Sequence, residues 1–208
     1  MKYIFVAGAP GSKWSSVCKN IYFSGDIDTS DYNTDRLYWH DASGEKELMH
    51  LGAYFDPGME FGGFFDELTN YSKEVCEAEF DSPFCTSDDK VRIIKSHVFA
   101  HHIDFLKEHW PDCPIVLVHR DDDPCLGWWV KCGHFDITYP LYHKYYKNLK
   151  RMSKIVDSQN KDILDAWERY DGVTPKSNTE LAVALDIEKP NDTYQQDYAS
   201  KDIRVKVI

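Results

Sequence analysis

The residues best suited to bind phosphate lie near the start of the chain, where residues 8–16 read Gly-Ala-Pro-Gly-Ser-Lys-Trp-Ser-Ser. Two glycines allow the backbone to curl around an oxyanion, a lysine adds a positive charge, and three serines add hydroxyl donors. A helical pattern follows, and the first amides of a helix lack partners within it. The segment predicts a site for the phosphate of a nucleotide-type ligand, formed by Pro10, Gly11, Ser12, Lys13, Trp14, Ser15 and Ser16.

The spacing of this segment departs from the phosphate-loop pattern G-x-x-x-x-G-K-[ST]. Counted from Gly8, Lys13 comes one residue early, and Trp14 stands at the position of the lysine. Two interpretations remain open. The segment is either an anion site or a strand-to-helix turn with an incidental lysine.

A second group with possible chemistry is the Lys-Ser-His of residues 95–97, at the end of an apolar run. A neutral histidine can accept a proton near pH 7, and a lysine can neutralise charge that develops on a transferring group. An ordinary surface Lys-x-His is the alternative for Lys95 and His97. The spacing of His97, His101 and His102 allows a zinc pair, but no third ligand with clear spacing accompanies it.

A third group with possible chemistry begins at Arg120, directly after the apolar run of residues 114–119. Its guanidinium is suited to binding a phosphate. Three aspartates, residues 121–123, follow it. They favour the positive end of the next helix, or alternatively bind magnesium, although three consecutive residues rarely all face one ion.

Apolar runs at residues 2–7, 91–96 and 114–119 predict three buried strands, and residues 203–208 a further one. Helical spacing predicts helices near residues 14–23, 99–110, 124–132, 139–157, 161–170 and 179–185. Residues 25–44 are polar and predict a long surface loop. This alternation predicts an α/β fold with three layers, a central parallel sheet flanked by helices, in a single domain spanning residues 1–208. In such sheets the ligand lies at the carboxyl ends of the strands.

The amino-acid composition limits the kinds of molecule that the protein is expected to bind. The net charge of -11 argues against broad nucleic-acid binding, although it permits one local basic pocket for a small anion. No apolar run reaches the ~20 residues of a membrane span, and no secretory signal is visible, so we expect a cytoplasmic protein without a membrane partner. The six cysteines are irregularly spaced and are expected to be free thiols, with a Cys76–Cys85 bridge as the alternative.

Three segments follow one another along the chain: the glycine-containing residues 8–16, the Lys-Ser-His of residues 95–97, and the strand end at Arg120. Their order resembles that of the sulfotransferases that use 3′-phosphoadenosine 5′-phosphosulfate (PAPS). That family combines a loop of the type P-K-S-G-T-T-W, a strand ending in K-[TS]-H, and a strand ending in R-x-P-x-D before a helix that bears a serine. Here the K-S-H of residues 95–97 matches the second of these motifs and Arg120 matches the arginine of the third, and the resemblance covers roughly residues 2–129. Three positions differ. Gly11 stands where the family has its loop lysine or arginine, Lys13 replaces the later glycine, and the 3′-phosphate serine falls near Trp128.

The resemblance implies a P-loop-like sulfotransferase fold and PAPS as the donor, with no metal required. It implies that His97 is the general base, that Lys95 and Lys13 stabilise the transferring group, and that residues 11–16 bind the 5′-phosphosulfate. Arg120 would bind the 3′-phosphate, and Arg204 would replace a basic residue near the family's carboxyl terminus. The acceptor stays unknown, although residues 25–44 and 61–65 are candidates to line its pocket. A P-loop kinase and a non-catalytic nucleotide-binding protein remain the alternatives.

Overall fold

The computed structural model describes residues 1–30, 39–40, 47–48, 68–85, 89–131, 148–189 and 202–208. Its elements in chain order are β1 (Tyr3–Gly8), α1 (Trp14–Tyr22), β2 (Trp39–His40), β3 (Glu47–Leu48), a 3-10 helix at Leu68–Asn70, α2 (Lys73–Asp81), β4 (Arg92–Lys95), a 3-10 helix at His97–His101, α3 (Ile103–His109), β5 (Ile115–His119), α4 (Asp122–Lys131), α5 (Leu149–Arg169), α6 (Asn178–Ala184) and β6 (Arg204–Val207).

The central sheet has four strands in the order β4-β1-β5-β6. Strand β1 is parallel to β4 and to β5, whereas β6 is antiparallel to β5, with Arg204 opposite His119. The sheet is therefore mixed, and the prediction of a wholly parallel sheet is wrong at this edge. Strand β6 begins at the end of the sheet where β5 finishes, so it runs back along its neighbour.

Helices cover both faces of the sheet, which confirms the general α/β architecture. Alternate residues of β1 point to opposite faces, so that Phe5 belongs to one apolar cluster and Val6 to the other. Residues of α1 and α6 pack with Val6, whereas residues of α2, α3 and α5 pack with Phe5. The Phe5 ring lies 5.5 Å from Phe80 and 5.8 Å from Phe99, edge to face, between ring centroids. These contacts fix the position of β1 against the helices that cover this face, and with it the point at which the following loop begins.

Helix α5 differs from the sequence prediction, which placed a break between residues 157 and 161. The structure has one continuous helix, Leu149–Arg169, and the predicted residues 139–147 lie outside the described part of the chain. Apolar residues on one face continue through this stretch, with Val156 and Ile163 both buried. The polar run between them contributes Gln159 and Asn160 to the interior, where each is at most 3% exposed.

Two further findings concern the chain as a whole. Within the described ranges, no helix combines the length and the apolar character needed to cross a bilayer. The described cysteines, including Cys76 and Cys85, are free thiols.

Lys206 of β6 completes the end of α5. Its side chain is largely buried, and its Nζ donates to the carbonyl oxygens of Trp167 and Tyr170, at 2.6 Å each. The last carbonyls of a helix have no partner within it and carry partial negative charge. The ammonium of Lys206 satisfies two carbonyls at this end and ties α5 to the edge strand.

We expect Lys206→Met to lower the free energy of unfolding by about 1–3 kcal/mol, because two partly buried carbonyls lose charge-assisted bonds while the apolar stem is kept. Denaturant unfolding measures the change. Lys150→Met, at an exposed position of the same helix, is the control and should stay within about 0.5 kcal/mol of the parent. Equal losses in the two variants would show that Lys206 does not support α5.

Candidate functional site

The glycine loop, residues 8–13, joins β1 to α1 at the carboxyl edge of the parallel strands. A turn inside it is closed by the amide of Ser12, which donates to the carbonyl of Ala9 at 3.0 Å. Gly11 has φ +80 and Lys13 has φ 62, so both residues adopt the left-handed conformation. Glycine adopts this conformation readily, whereas a residue with a Cβ pays about 1 kcal/mol or more. The strained residue of the loop is therefore Lys13, which is also the N-cap of α1.

Gly11 is required for packing as well as for its backbone conformation. A Cβ at this position would lie 2.1 Å from the carbonyl oxygen of Cys125, in α4. No side chain fits there, so the loop can lie directly against α4 only with glycine at residue 11. This contact sets the spacing between the loop and the helix that follows β5.

Ser12 provides a buried hydroxyl inside the loop. It is fully buried, and its Oγ has no hydrogen-bond partner among the described residues. A Cβ at Gly8 would lie 2.8 Å from this oxygen, so the small residue at the end of β1 leaves the room that the hydroxyl occupies. An unsatisfied buried polar group costs about 1–3 kcal/mol, and an anion oxygen in the loop would relieve that cost.

His97 lies against the loop and is almost fully buried. Its Nδ1 makes a short hydrogen bond to the carbonyl oxygen of Gly8. A carbonyl only accepts, so Nδ1 carries the proton and the neutral ring has its lone pair on Nε2. The imidazole also packs on the Trp14 ring, with centroids 4.1 Å apart. This arrangement fixes the tautomer that a general base requires.

Lys95 is the last residue of β4 and is fully buried. In the sheet it lies opposite Val6 of β1, and its Nζ is 5.8 Å from the centre of the Trp14 ring. The strand ends here, and His97 begins the 3-10 helix that follows it. Lys95 and His97 nevertheless share Trp14 as a neighbour, which brings both next to the glycine loop.

Arg120 binds the loop instead of facing open solvent. Its Nη1 donates to the carbonyl of Gly11 at 3.0 Å, while Nε and Nη2 donate to Asp202 Oδ2 at 2.8 and 2.6 Å. Its own carbonyl accepts from Asn160 Nδ2 at 2.8 Å and from Cys125 Sγ at 3.3 Å. Burial raises the pKa of the Cys125 thiol to about 12, so this thiol stays protonated and remains a donor. Arg120 is thus neutralised by Asp202, a partner 82 residues away that no local sequence pattern indicated.

Lys13 extends from the loop toward α4. Its Nζ lies 4.7 Å from the centre of the Trp128 ring, a cation–π contact at a half-buried position. The remaining predicted residues are nearby in the chain. Pro10 is buried, and Ser15 and Ser16 lie half-buried in the first turn of α1.

Arg204 is held by residues at the end of β5. Its Nη2 lies 2.8 Å from His119 Nδ1 and 3.3 Å from Asp121 Oδ1. Burial, and then the neighbouring guanidinium, lower the pKa of His119, so that its ring stays neutral and accepts this bond. The contacts of Arg204 are therefore with this strand end and not with the glycine loop. The predicted acceptor-lining residues 61–65, and most of 25–44, lie outside the described residues.

The geometry thus brings together the glycine loop, Lys95, His97 and Arg120. Comparison with known proteins adds nothing to this picture, because no family model, no curated protein and no solved structure matches the chain.

The strain at Lys13 can be tested by comparing two truncations. We expect Lys13→Gly to be more stable than Lys13→Ala by about 0.5–1 kcal/mol in denaturant unfolding, because only the alanine keeps a Cβ in the left-handed conformation. Both variants lose the contact with Trp128, so that contact cancels in the comparison.

Ser15 provides the matched control, because it lies in the first turn of the same helix. Within a helix the order should reverse, and Ser15→Ala should be more stable than Ser15→Gly by about 0.5–1 kcal/mol. Greater stability of Lys13→Ala than of Lys13→Gly, with the expected order at Ser15, would mean that residue 13 is not left-handed in solution.

Proposed function

We propose that this protein is a sulfotransferase of the P-loop-like kind, which transfers a sulfuryl group from PAPS to a hydroxyl or an amine. The observation that carries the proposal is the bond from His97 Nδ1 to the carbonyl of Gly8. It sets a histidine with a basic Nε2 directly against a loop whose glycines, lysine and buried hydroxyl suit a phosphate. The Lys-Ser-His strand end and the loop are thus neighbours in space as well as matches in sequence order.

The reaction is an in-line displacement at sulfur. The acceptor oxygen or nitrogen forms a bond to sulfur, while the bond from sulfur to the bridging oxygen of the 5′-phosphate breaks. The acceptor proton passes to Nε2 of His97, and the electron pair of the broken bond stays on the departing phosphate of adenosine 3′,5′-bisphosphate. Because Nδ1 already holds a proton for Gly8, the ring accepts the second proton without changing its tautomer.

Charge on the departing phosphate is stabilised by groups of the loop and of β4. Lys13 must leave Trp128 to reach it, which costs about 0.5–2 kcal/mol for a half-buried cation–π contact. A hydrogen bond from a charged group contributes about 1.5–3 kcal/mol, so the move toward a bound phosphate is favourable. The Ser12 hydroxyl and the ammonium of Lys95 are already buried beside the loop and need no comparable movement.

Arg120 has a positioning role in this proposal. Direct binding of the donor's 3′-phosphate would require its guanidinium to release Asp202, to which two of its nitrogens are bonded. Releasing Asp202 would leave the buried guanidinium of Arg120 without its counter-charge, which is costly and favours a role for Arg120 in fixing the carbonyl of Gly11.

The same ion pair favours a second candidate, a non-catalytic nucleotide-binding protein, since it occupies the group expected to bind one phosphate. A P-loop kinase is less well supported, because Lys13 caps α1 in the left-handed conformation and rests on Trp128. A lysine that follows the loop glycine by one residue is what the kinase pattern requires.

Thermal unfolding with three additions separates these candidates. We expect adenosine 3′,5′-bisphosphate to raise Tm without a metal, since a ligand at about 100 times its Kd adds about 2.7 kcal/mol to the stability. ATP with Mg²⁺ should have a smaller effect, and adenosine alone should have none. Stabilisation by Mg-ATP and not by the bisphosphate would indicate the kinase and contradict the proposal.

Two substitutions at His97 separate catalysis from loop support. An asparagine amide can replace Nδ1 as the donor to Gly8, but it is not a base, whereas alanine lacks both properties. A panel of alcohols, phenols and amines first identifies an acceptor that the parent protein uses with labelled PAPS. We expect sulfuryl transfer to that acceptor to fall about 10²–10⁴-fold in both variants.

Bisphosphate binding should stay within about twofold of the parent in His97→Asn and weaken in His97→Ala, where the loop loses a bond. Undiminished transfer by His97→Asn would rule out the base. Bisphosphate binding without transfer by the parent would favour the non-catalytic protein.

A further inference from the structure

Two lysines lie on one tryptophan ring at the side of the glycine loop. The Nζ of Lys13, from the loop, is 4.7 Å from the centre of the Trp128 ring, and the Nζ of Lys131, from the last turn of α4, is 5.7 Å from it. Both distances are within the range of a cation–π contact. The ring is half-buried, whereas Lys131 is exposed. Two positive charges that repel each other are thus gathered beside a loop suited to phosphate.

Neither of these lysines is neutralised. In the described part of the chain, the ammonium groups of Lys13 and Lys131 have no carboxylate partner. The positions three and four residues before Lys131 hold Trp128 and Gly127, so α4 offers it no helical ion pair there. Three other cations on aromatic rings each have a carboxylate within 4.0 Å: Lys2 has Asp81, Lys73 has Glu77 and Arg169 has Asp104. In a chain with 35 acidic and 24 basic side chains, an uncompensated pair of lysines favours a bound anion.

Gly127 provides an independent observation on the same side of α4. It lies one turn before Lys131 in the interior of the helix, where glycine is less favourable than alanine. Beyond its chain neighbours and the helix backbone, a Cβ at this position would meet nothing within 4 Å among the described residues, so packing does not require the glycine. Glycine allows a ligand to approach the backbone closely. The surface between the Trp128 ring and Lys131 is therefore open to one.

The packing of the loop against α4 fixes where this surface lies. Gly11 is in direct contact with the carbonyl of Cys125, which lies one turn before Trp128 on α4. The ring and Lys131 therefore keep a set distance from the loop. A ligand with one phosphate in the loop would reach Lys131 with a second anionic group on the α4 side.

We propose that Lys131, held by Trp128, binds the second phosphate of a nucleotide whose first phosphate lies in the glycine loop. Lys13 moves from the ring to the first phosphate, so the ring positions one cation for each. The inference rests on the phosphate site of the proposed function. It assigns to Lys131 the role that Arg120 cannot take while Arg120 is paired with Asp202.

Isothermal titration with adenosine 5′-monophosphate (AMP), ADP and adenosine 3′,5′-bisphosphate, in the presence of EDTA, tests the inference. We expect a second phosphate to tighten binding by the parent about tenfold or more relative to AMP. In Lys131→Gln this gain should fall below about twofold, whereas the affinity for AMP should stay within about twofold of the parent. The position is exposed, so the variant should keep the fold, which circular dichroism verifies.

Lys73→Gln is the matched control. Lys73 also lies 5.7 Å from the centre of a tryptophan ring, that of Trp110, and its substitution changes the net charge equally. This variant should keep the full gain from the second phosphate. A gain that survives in Lys131→Gln, or that falls equally in Lys73→Gln, would overturn the inference and leave the proposed function intact. A parent that gains from neither second phosphate would also overturn it.

The three ligands also separate the two sources of a second phosphate. A gain with the bisphosphate that depends on Lys131 identifies the ribose 3′-phosphate and agrees with PAPS as the donor. A gain with ADP alone that depends on Lys131 would support the lysine site and contradict the sulfotransferase. Binding of none of the three nucleotides would contradict both proposals.

Discussion

The backbone of the glycine loop is fixed through its own carbonyl oxygens. His97 donates to Gly8 and Arg120 donates to Gly11, so the loop is held by residues that follow the two strands flanking β1. With the carbonyls bonded to these side chains, the loop keeps its left-handed residues at Gly11 and Lys13 despite their cost. The contact of Gly11 with α4 depends on the same constraint, because a loop shifted by an ångström would lose it.

The two side chains that hold the loop backbone are also the ones suited to contact a ligand. The histidine suited to proton transfer and the arginine suited to phosphate are both bonded to loop backbone, so neither is an independent group waiting for a ligand. For His97 the coupling is useful, since the bond to Gly8 selects the tautomer with a basic Nε2. For Arg120 it is restrictive, since Asp202 neutralises the guanidinium. Such preorganisation lowers the cost of binding, at the expense of freedom to adapt to different donors.

Local patterns in the sequence predicted the strands well and their long-range partners poorly. The apolar runs that end at Gly8, Lys95 and His119 form parallel neighbours, because such runs are stable only when covered on both faces. The edge strand was located correctly, but its antiparallel direction depends on how the chain returns to the sheet, which no local period encodes. The same limit applies to Asp202 as a partner of Arg120. The break predicted within α5 arose because buried polar residues such as Asn160 resemble a loop when only hydrophobic spacing is considered.

The pairing of Arg120 with Asp202 also bears on when the site forms during synthesis. A ribosome completes β1, its loop and the strand ending at His119 long before it adds residue 202, so most of the sheet can form before the carboxylate that pairs with Arg120 is present. During that interval the guanidinium of Arg120 has no counter-charge from Asp202. A nascent chain released before this residue would contain every residue of the glycine loop, yet its Arg120 would lack the carboxylate that pairs with it. Assembly of the site thus depends on two residues that lie 82 positions apart in the chain, Arg120 and Asp202.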